Sequence, residues 1–438
     1  MAHLLDLPED FVILILQYLQ QREPEDLGYR PVLTNLVHFC LVSKSFVPAT
    51  RRALYASFWS DELRGTWRIR AFLCTVIANP LLASHVLGVE LTAWRAWDRD
   101  SDERDSGYPD DRRYSPGRNR NDRKLFQKAI HQLALSDTAF WRSAVRKDVD
   151  EVYVALLLLS LPNLRKLWLG LPLRFEVLEK ALHHATFLRP LHAPLASLQK
   201  LEEFGCWFRG NVARGSINEL APFFRLPCVR KIHAGAHLVS SGPWPQLPPN
   251  TTLEYLELDY HDIQPETLGG MLHGLKSLKG FAFEPYTFFE RVVFHPQRFG
   301  SALMNAAASP RDIYIAIEEL YCGDGTLLGS FRSFTQLKCL KTEFRWLLGD
   351  ARSVRLVNIL PPSLEKLALT GHGFVPVSYY NAGLDIPFPF SHVVSQFQRI
   401  GGCKTKHHAK STQHGRSDLG MDVSNPRIRG TSRCLQEK

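Results

Sequence analysis

Residues 161–169 read LPNLRKLWL, with leucines at 161, 164, 167 and 169. The first two intervals are three residues and the last is two, so the spacing runs out of a turn into a β-strand whose alternate side chains share a face. Leu167 and Leu169 then point one way, and Lys166 and Trp168 the other. The same LxxLxxLxL frame returns as LPCVRKIHA (226–234), NTTLEYLEL (250–258), LKSLKGFAF (275–283), FTQLKCLKT (334–342) and PPSLEKLAL (361–369). LASLQKLEEF (195–204) fits with a slip at its end, and IAIEELYC (315–322) fits its strand half. One recurring strand that cannot bury its apolar face alone is the mark of stacked repeats sharing a continuous core. The anchors at 164, 198, 229, 253, 278, 317, 337 and 364 lie 34, 31, 24, 25, 39, 20 and 27 residues apart, so the returning segments vary in length.

This pattern resembles the leucine-rich repeat. The asparagine expected shortly after each strand is missing, with Pro172, His261 and His372 in its place. The resemblance implies an α+β chain built as an α-β solenoid, an irregular curved array with a parallel sheet of short strands and outer helices. It also implies that residues flanking the inward positions line the surface that holds a partner. Those are Lys166, Trp168, Lys231, His233, Tyr255, Glu257, Asp259, Glu319, Tyr321, Lys341 and Glu343, of which Trp168, His233, Tyr255, Glu257, Asp259, Tyr321 and Lys341 are the candidate substrate contacts. Aromatic side chains among charges suit such a role, since they are enriched where binding energy concentrates.

The N-terminus carries a different signal. LPEDFVILILQYL (7–19) opens with Pro8, suited to a first helical turn, and with Glu9 and Asp10 at the positive end of the helix dipole. Phe11 to Leu16 are then six apolar residues in a row, leaving little polar face, so this helix needs a second apolar surface beyond one core. LVHFCLVSKSF (36–46) follows. Leu7, Pro8, Asp10, Phe11, Val12, Ile15, Leu16, Tyr18 and Leu19, with Leu36, Phe39, Leu41, Val42, Ser43, Lys44 and Phe46, match the spacing of the F-box, which the chain resembles. It departs from that family in a long connection over 20–33 and in Phe46, where tryptophan is commoner. The alternative is an N-terminal core helix of another helical domain. The F-box resemblance implies that Leu7, Pro8, Phe11, Val12, Ile15, Leu16, Leu19, Leu41, Val42 and Phe46 contact the adaptor subunit of a cullin–RING ubiquitin ligase, and through it the cullin. The chain would then be the substrate-recognition subunit, holding an unknown protein target. The competing reading is a repeat scaffold that binds partners without a cullin.

The organisation expected is an F-box-like helical module over 1–60, a linker helix and first strand over 61–94, a disordered insertion over 95–124, the repeat array over 125–385 and a basic tail over 386–438. Residues 49–60 read as one further helix. The insertion holds nine basic and eight acidic residues with few aliphatics, too little to bury. Of the net charge of +9, the eight Lys/Arg and three Asp/Glu of 401–438 supply +5. A charge concentrated in the tail, with no basic stripe elsewhere, argues against a specific nucleic-acid groove. No apolar run reaches the ~18–20 residues of a membrane span, and no signal peptide opens the chain, so a cytoplasmic or nuclear location is expected. The eight cysteines have no CxxC pairing, and no His/Cys/Asp/Glu set stands at ligand spacing, so no metal or other cofactor is expected. Gly323 to Gly329 has one residue too many for a dinucleotide-binding turn, and no nucleophile elbow, P-loop or HExxH is present, so no enzyme activity is expected.

Overall fold

The computed structural model describes residues 11–12, 14–15, 36–38, 40–41, 43–60, 65–91, 120–171, 175–187, 197–208, 215–235, 238–239, 242–245, 252–259, 263–284, 295–306, 309–315, 327–348 and 356–370. Ten strands form one open sheet: β1 (Ser57–Ser60), β2 (Gly88–Leu91), β3 (Lys166–Leu171), β4 (Glu203–Phe208), β6 (Lys231–Gly235), β8 (Tyr255–Asp259), β9 (Gly280–Glu284), β10 (Asp312–Ile315), β11 (Cys339–Glu343) and β12 (Lys366–Thr370). Every neighbouring pair is parallel, and the spatial order is the chain order. Two-residue strands β5 (Gly215–Ser216) and β7 (Leu238–Val239) pair separately.

The register runs straight across the sheet, so side chains fall into rows. One inward row is Val89, Leu167, Phe204, Ile232, Leu256, Phe281, Ile313 and Leu340. A second is Leu91, Leu169, Cys206, Ala234, Leu258, Phe283 and Ile315. All of these are buried. Each Leu, Ile, Val or Phe withdrawn from water contributes about 1.5–3 kcal/mol, so two unbroken rows hold the sheet to the helices behind it. In the ten-stranded sheet the start of each strand from β3 on is built alike. Two consecutive backbone N–H groups donate to one carbonyl, that of the residue just before the neighbouring strand, at 2.7–3.1 Å, as Glu202 and Glu203 do to Arg165, and Arg230 and Lys231 to Glu202. Opposite charges meet at several places along this line, pairing Arg165 with Glu202 at 3.5 Å, Lys279 with Glu254 at 2.9 Å and Lys338 with Glu365 at 2.7 Å.

The register corrects two readings of the repeat. Phe204 pairs with Leu167, so Leu201, not Leu198, is the equivalent of Leu164. The strand expected in 315–322 is Asp312–Ile315 instead, with Ile313 and Ile315 inward and Pro310, which is buried, in the anchor position. With anchors at 201 and 310 the spacings become 37, 28, 24, 25, 32, 27 and 27 residues, more even than before. The single helix expected over 49–60 is also corrected. A helix over Val47–Ala56 gives way to β1, because Phe58 and Trp59 pair with Val89 and Glu90. The sheet therefore starts inside the stretch assigned to the helical module.

Between β2 and β3 lie helices Arg120–Gln132, Thr138–Arg146 and Asp150–Leu159. Residues 120–124, expected within a disordered insertion, are helical, since Leu125, Phe126, Ala129 and Ile130 give them an apolar face to extend. The rest of that insertion, the 386–438 tail and Pro172, His261 and His372 lie outside the described residues. Asp150–Leu159 is buried on all sides from Glu151 to Leu159. Its acids are individually answered. Arg70, itself buried on helix Gly65–Ala78, reaches Asp148 at 2.9 Å and Asp150 at 3.3 Å and lies 4.2 Å over the Tyr153 ring, while the Tyr153 hydroxyl donates to Asp148 at 2.8 Å. Glu151 accepts from the Leu178 N–H at 2.8 Å, tying this helix to the start of Glu176–Phe187.

At the N-terminus, Phe11, Val12, Leu14 and Ile15 are helical, as are Leu36, Val37, His38, Cys40 and Leu41. Val12, Leu36, Phe46, Ala49 and Ala53 form a small core with Leu54 against it. Among the described residues no helix is long and apolar enough to cross a membrane.

Candidate functional site

Two surfaces gather the residues singled out by the sequence. The first is the outward side of the N-terminal helices. Phe11 is 58% exposed, Leu14 59%, Ile15 40%, Val37 46% and Leu41 79%. Phe11, Ile15 and Leu41 thus stand where a partner could reach them. Val12 and Phe46 do not. Each is 4% exposed in the chain's own small core, which corrects their assignment as adaptor contacts. The reason is helical geometry: a continuous apolar run covers both faces, and the side turned toward Leu36 and Ala49 is consumed locally. Leu14 and Val37 were missed, although the run contains one and the frame of the other is visible beside Leu36. Leu7, Pro8, Leu16, Leu19 and Val42 lie outside the described residues.

The second surface is the outward face of the sheet. Alternation places Glu90, Trp168, Gly205, His233, Glu257, Ala282, Tyr314 and Lys341 in one row. Trp207, Gly235, Asp259 and Glu284 form part of the next. The Trp168 indole lies across Gly205, where any Cβ would collide with its ring. Tyr255 lies over Gly280 in the same way, at 2.6 Å from the position a Cβ would take, and is 44% exposed. Trp168 is 6.0 Å from Trp207 and 5.1 Å from His233, ring centre to ring centre. Glycines on the middle strands therefore let aromatic rings settle on the sheet.

His233 bridges two carboxylates. Its Nδ1 is 2.9 Å from Glu257 and its Nε2 3.4 Å from Asp259. Contact with both acids raises the imidazole above its ordinary value despite burial, and the hydrogen bond from His233 holds Glu257 below the usual carboxylate range. Burial pushes Asp259 up. His233, Glu257 and Asp259 were each named from the sequence, but their convergence was not. Ligating atoms of the three lie within 4.8 Å of one another, a set that could hold a metal ion. Alongside, Lys166 and Lys231 lean on Glu203 at 3.4 and 3.9 Å.

Farther along the row Lys341 is exposed, with its ammonium 4.2 Å over the Tyr314 ring. Glu343, expected on this face, is instead buried. Glu319 and Tyr321 lie outside the described residues. On the helical side a groove lined by Trp244, Glu266, Gly270, His273, Arg298 and Asn305 is spanned by a Glu266–Arg298 ion pair. No family model, curated protein or solved structure matches the chain.

Proposed function

We propose that this chain is the substrate-recognition subunit of a cullin–RING ubiquitin ligase, with its N-terminal helices docking on the adaptor subunit and the repeat array holding a target protein. The observation that carries the reading is the split of one short helical unit into two apolar faces. Val12, Leu36 and Phe46 pack on Ala49 and Ala53, while Phe11, Leu14, Ile15, Val37 and Leu41 remain outside. Five large apolar side chains on so small a unit form the kind of patch that marks a protein interface. Support for a leucine-rich-repeat-like array comes from the chain-ordered parallel strands, the repeated strand start and the two unbroken core rows. The chain supplies no bond-making step in this reading. It raises the effective concentration of target lysines near the loaded conjugating enzyme.

The test is co-purification of adaptor and cullin with the full chain carrying Ile15→Glu and Leu41→Glu. Both side chains are exposed, so the fold should persist, and burying either charge at an interface should abolish recovery of the complex. Undiminished recovery would remove the docking assignment. Recovery of adaptor without cullin would point to the scaffold reading.

A further inference from the structure

We propose that His233 and Asp259 bind a divalent transition-metal ion such as zinc on the outward face of the sheet, with Glu257 holding the His233 ring in position. The three side chains come from two neighbouring strands rather than from loops. His233 on β6 and Glu257 on β8 are register partners, and Asp259 stands two residues beyond Glu257 on the same face. Each offers a ligand atom within 4.8 Å of the other two. The two contacts of the imidazole are unlike. Nδ1 lies 2.9 Å from Glu257, the length of a charge-assisted hydrogen bond. Nε2 lies 3.4 Å from Asp259 Oδ2, too far for a good hydrogen bond. That separation is instead the spacing of two ligands on one ion. Zinc bonds of about 2.0–2.2 Å at a tetrahedral angle set nitrogen and oxygen about 3.3–3.5 Å apart. An ion on Nε2 and Oδ2 therefore keeps the distance between them, and the ring proton stays on Nδ1, donated to Glu257.

A metal-bound histidine that passes its second ring N–H to a carboxylate is fixed in tautomer and direction, and is the more basic for it. The charges agree. With the ring neutral, Glu257 and Asp259 leave two negative charges, which a divalent ion cancels and a second ring proton only halves. Glu284, the register partner of Asp259 on β9, places a third carboxylate one strand away. Lys231 acts on His233 and Glu257, but its ammonium sits 3.9 Å from Glu203. Imidazole with carboxylate suits zinc, copper or nickel, whereas magnesium and calcium take oxygen ligands. The His233 and Asp259 side chains remain 20% and 19% exposed, so water can complete the shell of the ion. This site stands independently of the ligase reading.

The experiment titrates zinc into the untagged, reduced full chain against a chromophoric chelator. It is run at about pH 8, because both acids hold a proton on the ring above its ordinary value and the ion must displace it. The expected result is one zinc equivalent per chain that is lost, or weakened at least about tenfold, in His233→Gln and in Asp259→Asn, with the metal-free melting temperature retained. Glu257→Gln should keep that equivalent and weaken it by about tenfold. The control, His407→Ala with His408→Ala and His414→Ala, should keep it at the parent affinity whatever other zinc those tail histidines take. In the parent chain, copper with ascorbate oxidises the side chains that hold the ion. Peptide mass spectrometry should find the added oxygen on His233, and excess zinc should block it. This second measurement decides the matter even where a variant fails to fold. No zinc equivalent dependent on both His233 and Asp259, an unchanged affinity in Glu257→Gln, or His233 left unoxidised overturns the proposal and leaves an imidazolium bridge only. So does calcium that competes with zinc at equal concentration, the mark of an all-oxygen site.

Discussion

Replacing Arg70 on helix Gly65–Ala78 with methionine should destabilise the fold. The arginine side chain is 7% exposed and faces two acids, Asp148 at 33% and Asp150 at 17% exposure. Methionine fills similar volume, so the loss is electrostatic rather than a cavity. Removing one partner of a buried ion pair costs about 3–5 kcal/mol, because the other charges stay buried without compensation. Asp148 is a third exposed and partly rescued by water, which places the expected cost near the lower end, about 3 kcal/mol. The cation–π contact with Tyr153 lies within that figure and is not added to it. Unfolding entropy scales with length, so in a chain of this size 1 kcal/mol moves the melting temperature by about 1–2 °C, and a fall of roughly 3–6 °C is expected by thermal denaturation of the full chain. Combining Arg70→Met with Asp148→Asn and Asp150→Asn removes the stranded charges and should restore at least half of the loss. A shift within about 2 °C for the single variant, or no recovery in the triple one, would refute the reasoning.

Glu151 gives a pH prediction. Burial pushes its carboxyl up to about 7 from 4.5, although Leu178 donates to it. Between those values the folded state keeps a proton that the unfolded chain releases, so stability should fall as pH rises from 4.5 to 7 and level off above, by about 3 kcal/mol in all. Glu219, also pushed up to about 7 by burial, adds a smaller loss of the same sign. Glu151→Gln should flatten melting profiles across this window, gaining on the parent as pH rises; parallel profiles would count against it. At Gly300, on helix Pro296–Leu303, an added Cβ would run into the Leu328 carbonyl, which is backbone and cannot step aside. Gly300→Ala should therefore cost at least about 2 kcal/mol, while Gly88→Ala, with only Ser57 Cβ at 3.8 Å, should stay within about 1 kcal/mol, both read by urea midpoints.

What could be read without coordinates was whatever a short stretch of chain decides for itself. The two-residue alternation of Leu167 and Leu169, Leu256 and Leu258, or Phe281 and Phe283 assigns strands and inward faces because side chains alternate wherever a backbone is extended. The uninterrupted run from Phe11 to Leu16 likewise announced a helix with apolar residues to spare, and Ile15 and Leu41 do stand exposed. Register was a different matter. Leu195, Leu198 and Leu201 recur every third residue and admit two frames, and only the pairing of Phe204 with Leu167 chooses between them. Asp312–Ile315 and the residues after it alternate equally well, and the Gly280–Glu284 strand makes the choice. The same holds for every grouping that gives the surfaces their chemistry. Arg70 meets Asp148 and Asp150 from a distant helix, Trp168 rests on the glycine of the next strand, and His233 finds its acids across a ladder. Local patterns fix which way a side chain points. Which side chains it points at depends on hydrogen bonds between strands far apart in the chain, and those form only when the sheet does.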